Sequence, residues 1–151
     1  MRIAQVAPLY ESVPPQLYGG TERVVSWLTE ELVRMGHDVT LFASGDSRTS
    51  AKLEPIWPKA LRFDAAVRDP CALHITMLEQ IRRRSSEFDL IHFHLDYYPF
   101  SLFSRQSTSF VTTLHGRLDL PEHKSVFTTF SSIPVIAISE AQRQTMPQAA
   151  W

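Results

Sequence analysis

Apolar residues gather in short runs separated by helical patterns. Ile3, Ala4, Val6 and Ala7 form a near-continuous apolar stretch, as expected of a strand buried on both faces of a parallel sheet. Val24, Val25, Leu28, Leu32 and Met35 then recur at helical spacing. Gly36 stands where a helix C-cap belongs. Residues 39–43 supply a second apolar run. The chain therefore opens as strand, long connection, helix, glycine, strand, which is a βαβ unit with a right-handed crossover. Residues 53–69, with Trp57 between Pro55 and Pro58, keep no clear period. They predict an irregular segment holding one short strand at most. Asp69-Pro70 reads as the N-cap and first position of a helix. Leu73, Met77, Leu78 and Ile81 supply its buried stripe, and Arg82-Arg83-Arg84 suits its negative end. Strands follow over 90–94, 110–114 and 134–138, with a short helix after the first and a weakly patterned one over 121–130. Ser139-Glu140-Ala141-Gln142 has the form of a capping box opening a last helix, which Pro147 interrupts.

Five strands alternating with helices predict an α/β fold, Rossmann-like, with a doubly wound parallel sheet. Ligands of such folds bind beyond the carboxyl ends of the strands. Those ends carry residue 8 onward, Ser44, His94 to Asp96, His115-Gly116 and Ser139-Glu140.

The first connection, residues 8–20, is far longer than the ~2–6 residues usual between a strand and a helix. It ends in Tyr18-Gly19-Gly20-Thr21-Glu22-Arg23. Glycine permits positive φ and close approach of a ligand to the backbone. The helix start offers unpaired N–H groups to an anion such as a phosphate. Two glycines can also make a plain turn, but a turn does not need residues 8–18. The connection is expected to be exposed and loosely held. At the end of the second strand, Asp46 is placed to hold a ribose or, more simply, to make an Asx-turn.

Composition narrows the classes. The chain has 151 residues, 44% of them hydrophobic, enough for one domain with a real core. A formal net charge of -1 gives no electrostatic case for nucleic acid. The single cysteine, Cys71, excludes an internal disulfide and suits a reducing cytoplasm; it reads as a small buried filler. No run approaches the ~18 apolar residues of a membrane span.

His92-x-His94-x-Asp96 invites a metal reading, since imidazole and carboxylate are common zinc ligands. A buried, hydrogen-bonded His92 is the simpler reading, and no metal is expected. His115 directly follows Val111-Thr112-Thr113-Leu114 and precedes Gly116. The glycine lets the chain turn at the strand end and leaves the imidazole facing the cleft. A neutral ring there could bond a sugar hydroxyl, and an imidazolium could offset phosphate charge. The GxGxxG spacing of nicotinamide enzymes is lacking.

Taken together, the first loop with Gly19-Gly20-Thr21-Glu22, Gly36-His37-Asp38-Val39, His92-x-His94-x-Asp96, Thr112-Thr113-Leu114-His115-Gly116 and Ile138-Ser139-Glu140 with Arg143 resemble the N-terminal domain of a family 4 glycosyltransferase. The first fifty residues are also similar to a subgroup labelled UDP-glucose:tetrahydrobiopterin glucosyltransferases. The resemblance implies one half of a GT-B architecture. It implies a hexosyltransferase that moves a sugar from a nucleotide-sugar, a UDP-sugar by expectation, to an acceptor with retention and without a metal or other cofactor. By the same likeness, Gly19, Gly20 and Thr21 would lie near the donor diphosphate. His115 would act at the transferred sugar, orienting it and stabilising an oxocarbenium-like transition state. Asp96, Tyr97 and Gly116 would line the acceptor side. Ser139, Glu140 and Arg143 would approach the cleft, although Ser139 serves equally well as a helix cap. Residues 1–151 would be the acceptor-side domain, the nucleotide-sugar domain being absent from this chain, which alone should transfer no sugar. A nicotinamide- or flavin-binding oxidoreductase domain and a non-catalytic nucleotide- or sugar-binding module share the fold class and remain open.

Overall fold

The computed structural model describes all 151 residues. Six parallel strands form one sheet: β1 (Arg2–Val6), β2 (Asp38–Ser44), β3 (Lys52–Trp57), β4 (Leu90–Phe93), β5 (Phe110–Leu114) and β6 (Val135–Ala137), in the order β3-β2-β1-β4-β5-β6. This is the Rossmann-like, doubly wound order, and its switch point lies between β1 and β4. The helices are α1 (Gly20–Arg34), α2 (Pro70–Arg83), α3 (Phe100–Phe103), α4 (Pro121–Thr129) and α5 (Glu140–Gln144).

Strand periodicity divides the residues between two faces. Ala4 and Val6 of β1 join Ile91 and Phe93 of β4 and Met77, Leu78 and Ile81 of α2 in the largest core cluster. A second cluster joins Leu114 and Val135 to Phe100 of α3 and Phe127 of α4. On the opposite face Ala7, Leu41 and Ala43 pack with Val25 of α1. Gln5, His92 and Thr113 are buried polar side chains in these strands, and His94 is another just past the end of β4. By alternation, Gln5, His92 and Thr113 lie on the α1 face.

Three departures from the sequence reading, and one element it only allowed for, have clear causes. The one short strand allowed in the irregular segment is there as β3, which begins one residue earlier, at Lys52. Its Pro55 is tolerated because β3 is an edge strand. Helix α1 buries Glu22, Val25, Ser26 and Thr29, while Val24, Trp27 and Met35 are exposed. The buried stripe is therefore rotated from the apolar one, since α1 covers small Ala7 and Ala43 and leaves no depth for Trp27. Cys71 is exposed, not a core filler, because α2 turns His74, Met77, Leu78 and Ile81 inward.

The first connection is not loosely held. Leu9, Glu11, Ser12 and Val13 are buried. The Leu9 and Tyr10 carbonyls accept from Leu61 N–H and Arg62 N–H at 2.9 and 3.1 Å, and Val13 O accepts from Arg48 N–H at 2.7 Å. Val13 N–H donates to Ser47 Oγ at 2.9 Å. Backbone pairing with the loops after β2 and β3 does what a sheet ladder would otherwise do. Helix α1 ends as predicted: Gly36 has φ 84°, and Gly36 N–H and His37 N–H bond Val33 O and Leu32 O, a Schellman motif.

Candidate functional site

A two-lobed cleft opens at the carboxyl ends of β1, β4 and β5. Pro8, Tyr10, Thr21 and His115 line both lobes. The first lobe, about 480 Å³, adds Gly19, Gly20, Glu22, Arg62 and Ile138 among others. The second, about 240 Å³, adds His74, His94, Asp96, Tyr98 and Gly116. The diglycine corner and the histidine-glycine corner thus share one rim. A larger polar hollow of about 720 Å³ lies behind the first loop, between Pro14 and Asp46. It holds no histidine, and the Asp46 carboxylate there accepts from Ala60 N–H at 3.0 Å.

The glycines act differently from expectation. Neither Gly19 nor Gly20 takes the left-handed backbone conformation; Gly36 alone among the glycines does. Gly19 is extended, at φ 166°. A Cβ on it would stand 2.7 Å from Pro15 Cβ and 2.9 Å from Glu22 Oε2. It is glycine because the loop folds tightly onto it. A Cβ on Gly20 would meet nothing within 4 Å. No side chain of the Gly19 N-cap closes the start of α1, but the first turn already carries the Glu22 carboxylate. Burial raises the Glu22 pKa, its own backbone N–H opposes this, and Glu11 adds to the rise. Glu11 is buried, with Arg62 Nη1 2.7 Å away as its ion partner. Arg62 also lies over the Tyr18 ring at 5.9 Å. Two carboxylates against one guanidinium make the first lobe a poor anion site by itself.

Three histidines meet at the switch point. His94 Nδ1 is 2.9 Å from His115 Nε2, and His94 Nε2 is 2.9 Å from Gln5 Oε1. His92 Nε2 is 2.7 Å from Thr113 Oγ1, and Gln5 Nε2 is 3.5 Å from His92 Nδ1. The His92 and His94 rings stack at 4.3 Å. Burial drives His115 down to about 4. Burial, followed by the nearby His115, drives His92 to about 4. Burial, with His92 and His115 adding, holds His94 well below its ordinary value. All three rings are neutral at pH 7, so the imidazolium reading of His115 is set aside. The ring nitrogens of His92 and His94 face Gln5, Thr113 and His115, so His92-x-His94-x-Asp96 does not form a ligand set around a common point.

Asp96 has φ 48°, an αL residue, which aspartate tolerates better than most. Its Oδ1 accepts from His115 N–H at 3.3 Å, and the Gly116 amide lies near enough to favour the charged carboxylate. Burial raises its pKa, and these two amides oppose the rise. Asp96 therefore shapes the His115-Gly116 corner as well as lining the cleft. Tyr97, expected beside it, sits instead in a neighbouring apolar groove with Val126 and Phe130, its ring against His123. Tyr98 takes the place in the cleft.

Ser139, Glu140 and Arg143 are exposed and line neither lobe. Ser139 Oγ accepts from Gln142 N–H at 3.1 Å, so it caps α5. Arg143 pairs with Glu140 at 3.2 Å on the surface. Pattern reading treated Gln142 only as part of the capping box. Its Nε2 donates to Leu114 O and Gly116 O at 2.9 and 2.8 Å, while its Oε1 accepts from Ile138 N–H at 3.0 Å. It buttresses the corner that carries His115. His74 was also missed. Its Nδ1–H donates to Pro70 O at 2.7 Å and its Nε2 accepts from Leu9 N–H at 3.2 Å. Helical spacing to Met77, Leu78 and Ile81 was the signal that could have found it. Gln5, a polar residue in an apolar strand, was visible in the same way.

A profile of the family described as Glycosyltransferase Family 4 matches residues 18–149. No curated protein sequence matches significantly. Among solved structures, AviGT4, a glycosyltransferase involved in avilamycin A biosynthesis, superposes with a TM-score of 0.58 at 22% identity, over 97% of this chain and 38% of its own. Sucrose-phosphate synthase from Thermosynechococcus elongatus superposes with a TM-score of 0.62 at 14% identity, over 95% of this chain and 44% of its own. The chain spans less than half of either. Both likenesses bear on the fold. No helix is long and apolar enough to cross a membrane.

Proposed function

Because this chain belongs to Glycosyltransferase Family 4, we propose that it is the acceptor-side domain of a retaining glycosyltransferase that moves a hexose from a nucleotide-sugar, with UDP-glucose the leading candidate donor. The observation that carries this is the shared rim: Gly19, Gly20, Thr21 and His115 line one lobe. The donor sugar would sit against His115, where a neutral ring at the strand end can bond a hydroxyl. The diphosphate would lie toward Gly20, whose missing Cβ leaves open space. The carboxylates of Glu11 and Glu22 make it necessary that cations for the diphosphate come from elsewhere, and a second domain facing the cleft would supply them. The second lobe, walled by Tyr10, His74 and Tyr98, would take the acceptor. Charge stabilisation by oriented groups, without metal or cofactor, would be the catalytic means.

Calorimetry with UDP-glucose, UDP and NAD tests this reading. Weak binding of UDP-glucose, lost in His115→Ala, is expected, with no sugar transfer by the chain alone. Tight NAD binding together with no response to UDP-glucose would replace the reading with a dinucleotide-binding one.

A further inference from the structure

We propose that Gln5 is a positioning residue. It sets the tautomers of His94 and His115, so that His115 meets the cleft with a bare Nδ1, as a hydrogen-bond acceptor for a ligand hydroxyl. The inference rests on the glycosyltransferase reading for the identity of that ligand, and on hydrogen-bond chemistry alone for the tautomers.

A carboxamide oxygen can only accept. Gln5 Oε1 lies 2.9 Å from His94 Nε2, so the proton of His94 is on Nε2. A neutral imidazole carries one N–H, so His94 Nδ1 is bare and must accept across its 2.9 Å contact with His115 Nε2. The proton of His115 is therefore on Nε2, and its Nδ1 is bare. That nitrogen has no partner within the chain and is not among the sealed, unpartnered atoms; its ring lines both lobes. On the other side, Gln5 Nε2 points its hydrogens toward His92 Nδ1 at 3.5 Å. This leaves the proton of His92 on Nε2, where it donates to Thr113 Oγ1 at 2.7 Å. One buried amide, on the strand at the switch point, thus orders the protons of three rings across β1, β4 and β5.

The order decides what the corner can bind. With the amide turned over, Gln5 would donate to His94, His94 to His115, and His115 would present Nδ1–H to the cleft. That corner would prefer an acceptor-only group such as a phosphate oxygen. In the orientation observed it prefers a group that brings its own hydrogen. The corner then reads the sugar ring of a nucleotide-sugar, not its diphosphate. A substitution that removes the acceptor at position 5, out of reach of the ligand, should change this preference, whereas one that keeps it should not.

Two-bond proton–nitrogen correlation spectra of the 15N-labelled chain at pH 7 test the proposal, because bare and protonated ring nitrogens resonate far apart. His92, His94 and His115 are all expected to carry their proton on Nε2. His115 with its proton on Nδ1 overturns the proposal without any variant. In Gln5→Glu the carboxylate can accept but not donate. His92 should then gain a proton on Nδ1, while His94 and His115 stay as they were; an unchanged His92 would overturn the role of Gln5. Added UDP-glucose should move the His115 Nδ1 signal and added inorganic pyrophosphate should not; an equal response to both removes the hydroxyl preference. The expected tautomers in a chain that ignores UDP-glucose would sink the transferase reading and leave the relay standing. UDP-glucose binding to a chain whose His115 carries Nδ1–H would do the reverse.

Discussion

His94 Nδ1 lies 2.9 Å from His115 Nε2, so a buried ring on the strand-end segment after β4 holds a half-buried ring at the end of β5. His94 cannot be protonated at its bare nitrogen without consequence. A proton on His94 Nδ1 would face the proton already on His115 Nε2. The corner is built for neutral imidazoles, and acid should oppose the fold that builds it.

The pH dependence of stability follows from His92. In the unfolded chain it titrates near 6.5 and in the fold at about 4. Between those values the unfolded state binds the proton and the folded state does not. The contribution is therefore complete above about 6.5 and is lost as pH falls toward 4, at a cost of about 2 kcal/mol between pH 7 and pH 5. Glu22 and Asp96, whose pKa values burial raises, act oppositely: their contribution is present at low pH and fades as pH rises through the folded value. Comparing wild type with His92→Gln separates the two. Urea unfolding at pH 7 and pH 5 should show wild type losing about 2 kcal/mol more than the variant. An identical pH response in both proteins would mean that His92 is not held neutral by the fold.

Much of this arrangement was legible from the sequence, and the reason is geometric. Strand ends in a parallel α/β fold converge by topology, so naming β1, β4 and β5 already placed Gly20 near His115. What pattern could not supply was the direction of side chains within that rim. Tyr97 and Tyr98 are adjacent in sequence, and only the αL turn at Asp96 decides that Tyr98 enters the cleft. Ser139, Glu140 and Arg143 matched by position, yet they point to solvent or cap α5. Gln5 was passed over because one polar residue in an apolar run looks like noise. The edge strand β3 was legible only as one short strand in an irregular segment, since composition alone does not say that the strand holding Pro55 lies at an edge.

Substitutions at the two adjacent glycines should diverge. Gly19→Ala puts a methyl group 2.7 Å from the rigid Pro15 ring and should destabilise by about 1–3 kcal/mol. Gly20→Ala meets nothing within 4 Å and should leave stability unchanged or raise it by up to about 1 kcal/mol, the usual preference of a helix for alanine. If Gly20→Ala keeps its urea midpoint and loses UDP-glucose affinity, that open space is where ligand comes. Retained affinity would place the donor elsewhere in the cleft.

Along α5 the ranking of residues should be Gln142, Ser139, then the Glu140–Arg143 pair. Gln142→Ala strips three backbone groups of partners and should cost about 1–3 kcal/mol or more. Ser139→Ala removes a cap worth about 1 kcal/mol. Breaking the exposed Glu140–Arg143 pair should cost well under about 1 kcal/mol. Thermal unfolding of the variants gives the order directly. A large loss of UDP-glucose affinity in Arg143→Gln, with stability intact, would restore it to the site.

Asp96 separates backbone strain from ligand recognition. Its φ of 48° favours aspartate, asparagine or glycine, and alanine there would add roughly 1–2 kcal/mol of strain. Its carboxylate holds the His115 amide at 3.3 Å, so the corner depends on an acceptor at this position. Asp96→Asn keeps both the conformation and an acceptor oxygen, and should change stability and UDP-glucose affinity little. Asp96→Gly keeps only the conformation: stability should fall modestly, and affinity should fall more, because the corner is no longer tied to β4. Asp96→Ala should lose both. Urea unfolding and calorimetry on the three variants distinguish these cases. Wild-type affinity in Asp96→Gly would show that the amide needs no carboxylate to keep His115 in place, and the shaping role assigned to Asp96 would then pass to Gln142 on the other side of the same turn.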